Sequence, residues 1–212
     1  MTKSFQLVAG HPALDLINTL DWRFRESGPE ELINSYEDLL RFAEQTGLLS
    51  PRQARTLRRK ESNGAARVLQ QAKDLRESAS QVVYATLDEM EPAVESVLKL
   101  DRFMHTAQAN RALRWSAKKI RMAWPAEDDP ALPLWLLSQA TADLLTSDNA
   151  ASIRACANLE CRWLFLDLSK NHMRRWCDMK ICGNRTKARR FREQRSERRS
   201  GPARRRNAST IL

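Results

Sequence analysis

Glycine is scarce in this sequence, with 6 among 212 residues, and histidine is scarcer still at 3. So few glycines leave no Gly-rich loop of the kind that cradles nucleotide phosphates. His11 and His105 are the histidines of the first 150 residues, and neither has a serine or cysteine beside it in a nucleophile motif. No catalytic constellation is expected, and the chain is read as a non-enzyme. Long apolar runs are also missing. The longest stretch without a charge is 130–142, short of the ~20 apolar residues that a bilayer span needs, so no membrane partner is expected. The brief apolar run at 5–9 is broken by Gly10-His11-Pro12 and then Asp15, which does not read as a secretory signal. A reducing, cytoplasmic setting is expected. A hydrophobic content of 42% with 8 prolines excludes wholesale disorder and fibrous repeats.

Cysteine is rare too, but its few copies are gathered. Cys156, Cys161, Cys177 and Cys182 form a C-x4-C pair, fifteen intervening residues and a second C-x4-C pair. Disulfides are disfavoured in a reducing cytosol, whereas two cysteine pairs separated by a loop are the usual frame of a tetrahedral zinc site. The competing reading is four buried thiols without a metal. A segment this short has no core of its own, and zinc supplies on the order of 10–16 kcal/mol of folding free energy to such modules. Trp163, Leu164, Phe165, Leu166 and Trp176 are expected to shield the sulfurs from water. Four thiolates leave no open coordination position, so Zn2+ would be structural. His172, between the pairs, reads as a surface residue and not as a ligand.

The wording around these cysteines is specific: Cys161-Arg-Trp-Leu-Phe-Leu-Asp-Leu-Ser169, then Arg174-Arg175-Trp176-Cys177, then Cys182-Gly183-Asn184-Arg185. It resembles the CGNR zinc finger, a C-terminal module of bacterial proteins, in which all four cysteines are the zinc ligands. The segment Gly10-His11-Pro12-Ala13-Leu14-Asp15-Leu16-Ile17-Asn18-Thr19 resembles the opening of the ABATE domain that precedes that finger. The two resemblances imply a stress-induced transcriptional regulator.

The residues after the last cysteine fit that implication. Gly183 is expected to take positive φ, and Asn184 to cap a helix running from Arg185 to about residue 199. Ala188 and Phe191 would anchor that helix to the zinc module, and its remaining surface is basic. Residues 152–212 hold 17 Lys+Arg against 5 Asp+Glu, a net of +12, which leaves the preceding 151 residues with 19 against 21. All the excess positive charge therefore belongs to the finger and its tail. Arginine predominates, which favours phosphate forks and bidentate guanine contacts. The expected DNA contacts are Arg174, Arg175, Arg185, Lys187, Arg189, Arg190 and Arg192, with RNA as the alternative polyanion. The basic tail at 201–212 is expected to be disordered when unbound.

The N-terminal two-thirds reads as helices with a small β element. Ser35 caps a helix ended by Gly47, Ser50-Pro51 opens another, and apolar residues recur at helical spacing from 65 to 90. Glu91-Pro92 restarts a helix, 112–124 alternates as a β-hairpin, and 134–145 returns to helix. Trp115, Trp124 and Trp135 are expected in the core. The fold class is mainly α with a small β-hairpin, followed by a small four-cysteine zinc-finger module with a basic C-terminal helix. Its parts are 1–150 as a sensor or dimerisation domain, 151–200 as the finger and 201–212 as the tail. His11, Asp15, Asn18 and Arg23 are candidates for a pocket that holds a small-molecule effector; internal hydrogen bonding is the alternative for Asp15 and Asn18. The function expected is a DNA-binding regulator at the nucleoid. A domain that processes a small molecule, with an accessory finger, is the remaining alternative.

Overall fold

Serine opens two of the helices as the sequence requires. Ser35 accepts from the Asp38 N–H while the Asp38 side chain returns to the Ser35 N–H, a capping box that starts α2 (Tyr36–Gln45). Ser50 and Gln53 do the same for α3 (Pro51–Arg59), with Pro51 at the first turn. These helices belong to a computed structural model that describes residues 4–60 and 64–200, apart from the side chains of Arg190 and residues 196–200. The expected disordered tail at 201–212 lies outside the described residues. Before α2 come the short α1 (Pro12–Ile17) and the paired strands β1 (Leu20–Asp21) and β2 (Glu30–Glu31). After α3 the chain runs through the long α4 (Ala65–Leu87) and α5 (Val94–Ala109). The hairpin β3 (Ala112–Ser116) and β4 (Lys119–Ala123) follows, then α6 (Leu132–Leu145). The finger region contributes β5 (Ile153–Ala155), β6 (Leu164–Leu166) and α7 (Asn184–Ser200). The fold is thus mainly α with small antiparallel sheets. Among the described residues no helix is long and apolar enough to cross a membrane.

The chain divides into two compact units, 1–177 and 178–212. Three apolar clusters hold the first. One gathers Phe5, Leu16, Phe42, Leu75 and Leu137, with Phe5 and Phe42 edge to face at 5.3 Å. A second sets Leu40, Leu49 and Leu57 against Leu132 and Trp135. The third places Leu14, Ile17, Ala79 and Val83 against Ile153, Leu164 and Leu166. Strands β5 and β6 are therefore part of the helical core, although they lie beyond residue 150. A buried guanidinium fastens α4 to the β1–β2 ribbon: Arg76, 4% exposed, forks onto Glu31 at 2.8 Å through both terminal nitrogens.

The hairpin forms where alternation predicts it, but one core expectation fails there. Trp135 is buried and stacks on Trp124, with ring centroids 6.0 Å apart. Trp115 is 73% exposed. Among the described residues the β3–β4 hairpin has no third strand, and its alternate side chains stay in water whatever their hydrophobicity.

Candidate metal centre and basic helix

Each cysteine is positioned by backbone geometry that its neighbours fix. The Cys156 N–H donates to the Trp163 carbonyl at 2.8 Å, extending the β5–β6 ladder by a residue. The carbonyl of buried Asn158 accepts from Cys161 and Arg162, closing the turn in which Arg162 takes φ +45°. The buried carboxylate of Asp167 then receives the N–H groups of Ser169 and Arg174 and folds the chain back toward Cys177. Cys182 lies in a π-helical turn, Met179–Gly183, whose first N–H groups are met by the Asp178 side chain. All four cysteines are buried and none is in a disulfide. Their sulfurs all lie within 4.8 Å of one another, and Cys161 Sγ is 3.7 Å from Cys177 Sγ. Four thiolates at about 2.3 Å from a tetrahedral zinc stand about 3.8 Å apart, so the cluster fits that ion's size and its preference for sulfur. His172 is not part of the cluster; its Nδ1 lies 2.9 Å from the Asp167 carbonyl.

The helix that follows starts earlier than its sequence indicates. Asp178, not Asn184, is the capping residue, and Gly183 is inside the π-helical turn instead of at positive φ. An aspartate accepting two successive N–H groups starts the turn, and Asn184 is already in helical conformation as α7 begins. Buried Cys182, Gly183 and Thr186 form the inner side of its first turns. Ala188 is exposed and Phe191 is 66% exposed, so neither is an anchor. Arg185, Lys187, Arg189 and Arg192 are exposed; Arg189 has Glu193 3.7 Å away, and Arg192 reaches the Ala188 carbonyl. Arg190 is on the same helix, but its side chain lies outside the description. Arg175 is exposed beside the Trp176 ring.

Arg174 belongs to a different class. Its guanidinium donates to the carbonyls of Val8, Leu166, Trp176 and Cys177 and lies 4.2 Å from the centre of the Phe165 ring. A guanidinium with its N–H groups so engaged has no fork left for a phosphate. It is a strut under the cysteine loop. Charge counting does not separate it from its neighbour Arg175.

Comparison with protein-family models matches residues 10–148 to a family described as putative stress-induced transcription regulator, ABATE, and residues 152–195 to the CGNR zinc finger. The chain belongs to the ABATE family. No curated protein matches it. The two matches meet near residue 150, whereas the compact units meet at 177/178, inside the CGNR finger.

Within the ABATE portion, the four nominated pocket residues are occupied by the fold. His11 caps α1, its Nδ1 accepting from the Ala13 N–H, and burial lowers its pKa. Arg23 pairs with Glu77, and Asn18 bonds both backbone groups of Leu164. The cavity that touches Asp15 and Asn18 has a volume of about 10 Å³, too small for an organic ligand. A cleft of about 730 Å³ lies elsewhere, between α4, α5 and α6, and Arg67, Ser78, Arg102, Phe103 and Trp135 are among the residues lining it. No motif marks it in the sequence, because its lining comes from three helices and shares no spacing. Asp15 accepts from the Ala9 N–H at 3.0 Å, and burial nonetheless pushes its pKa from 3.8 up to about 6. The native state thus binds this proton more tightly than the unfolded chain, so stability falls as pH rises through that interval. Asp15→Asn is expected to be more stable than wild type at neutral pH by up to about 3 kcal/mol, and so to melt higher, with the gap closing near pH 4. Paired thermal melts across that range check it.

Proposed function

We propose that this chain is a zinc-dependent DNA-binding regulator of transcription, working at the nucleoid, in which neither compact unit is catalytic. Cys156, Cys161, Cys177 and Cys182 would hold one Zn2+, which supplies structure and leaves no coordination position for a substrate. The observation that carries the reading is α7. It follows the fourth cysteine directly, begins on a buried first turn, and exposes Lys187, Arg189 and Arg192. A helix this polar has no core to join, and its arginines suit phosphate oxygens and guanine edges. Arg175 and Arg185 complete the basic set; Arg174 is withdrawn from it because its donors serve the cysteine loop.

With about five phosphate contacts, log K for duplex DNA should fall with log salt at a slope near −4.5. Lys187→Gln or Arg189→Gln should each make that slope shallower by about 1. Fluorescence anisotropy with purified protein between about 50 and 200 mM salt measures both. Salt-independent binding would sink the proposal, and duplex RNA outcompeting DNA of equal length would move it to an RNA partner. Selection of bound genomic fragments, with and without chelator, tests sequence specificity: an enriched motif that disappears with the metal is the expected result.

A further inference from the structure

Two apolar patches on the first unit have no cover among the described residues, and they sit at opposite ends of one helix. On the hairpin, cross-strand partners Leu113 and Met122, and Trp115 and Ile120, share one face and are 50–73% exposed. At the other end, Met90 precedes α5, and Val94, Val97 and Leu98 form an outward stripe, 47–67% exposed. That stripe lies opposite the side of α5 on which Ser96 and Ala107 are buried and Phe103 packs on the core. The α5 helix, of 16 residues, sets the two patches about 24 Å apart.

Their charges are opposite. The hairpin carries Arg114, Lys118, Lys119 and Arg121 with no acidic residue, and none of the four is in an ion pair with a described residue. Around the helical patch stand Glu89, Glu91, Glu95 and Asp101, all exposed, with Lys99 the one cation among residues 89–101. We infer that the partner is a second copy of this chain, in a reciprocal dimer: each copy's hairpin packs on the Val94–Val97–Leu98 stripe of the other. A two-fold axis that sets the two α5 helices antiparallel brings each end to the opposite end of its partner, so both contacts form at once. Pairing of hairpin with hairpin would set two elements of four cations and no acidic residue side by side, whereas the helical patch is ringed by carboxylates. The eight side chains leave about half to three-quarters of their surface in water, on the order of 800 Å² per copy, which is the size of a standard interface. This inference does not depend on DNA binding, since both patches lie in the first unit.

Analytical ultracentrifugation of the full, zinc-supplemented chain tests it. Wild type should sediment as a dimer. Trp115→Ser and Leu98→Glu, both at exposed positions, should keep the wild-type helical melting curve and each weaken dimerisation by about 30-fold or more. An equimolar mixture of the two variants should form heterodimer more tightly than either forms homodimer, because one of the two contacts is then intact. Three results overturn the inference. These are a wild-type monomer at about 100 µM, far above the dissociation constants usual for interfaces of this size, a Leu98→Glu dimer as tight as wild type, or a mixture that gives no heterodimer.

Discussion

Removing the metal proposed for the cysteine cluster, by chelation or by Cys161→Ser, is expected to lower the melting temperature of the helical unit by about 10–20 °C, beyond any effect on α7. The reason lies in the core. Ile153, Leu164 and Leu166 pack in one cluster with Leu14, Ile17, Ala79 and Val83, so the strands that present Cys156 and Cys161 also complete the helical domain. Further ties cross the same boundary: Tyr84 donates to the Arg162 carbonyl, and Arg162 pairs with Asp88. When the cysteines lack the proposed ion and the β5–β6 segment loosens, the three side chains lose burial worth about 1.5–3 kcal/mol each. A domain whose whole stability is about 5–15 kcal/mol feels that loss throughout. Far-UV circular dichroism melts, with elemental analysis of the same samples, measure it. A metal-free protein whose helices melt with the wild type would show that the finger is an independent bead and would refute this coupling.

What could be read from the sequence was local. Ser35 as a cap and Ser50-Pro51 as a helix start are signals carried by one or two residues, and both helices begin there; the structure adds Asp38 and Gln53 as the reciprocal partners. The alternation at 112–124 is likewise a near-neighbour signal, and the hairpin is there. The four cysteines were legible because ligand spacing is itself a statement about geometry. Failures came where a residue's role is set by something distant. Trp115 has the chemistry of a core residue, but no described element covers it. Asn184 has the chemistry of a cap, yet Asp178 is placed to do the work first. Arg174 and Arg175 are adjacent and identical in type; only the arrival of Val8 and Phe165 turns the first inward. The union of β5–β6 with the helical core rests on pairings such as Asn18 with Leu164, separated by 146 residues, for which no periodicity gives notice.

That last pairing yields the second large effect. Asn18 Nδ2 donates to the Leu164 carbonyl at 2.9 Å, and Asn18 Oδ1 accepts from the Leu164 N–H at 2.8 Å. The side-chain amide thus acts as a strand partner for β6, and both residues are buried, Asn18 at 3% and Leu164 at 0% exposure. Asn18→Ala removes the partner and leaves a buried N–H and a buried C=O unpaired, at about 1–3 kcal/mol each, so a loss of about 2–6 kcal/mol is expected. Asn18→Asp keeps the acceptor for the Leu164 N–H but sets a carboxylate oxygen against the Leu164 carbonyl, and should be at least as damaging at neutral pH. The next residue back, Trp163, gives its carbonyl to the Cys156 N–H, so the disturbance reaches the cysteine cluster directly. Asn18→Ala should therefore also surrender the zinc proposed for that cluster to a competing chelator faster than wild type. Urea unfolding gives the first number and a colorimetric chelator titration the second. Loss of stability with unchanged metal retention would confine Asn18 to the helical core, whereas wild-type stability would mean that water replaces both of its hydrogen bonds.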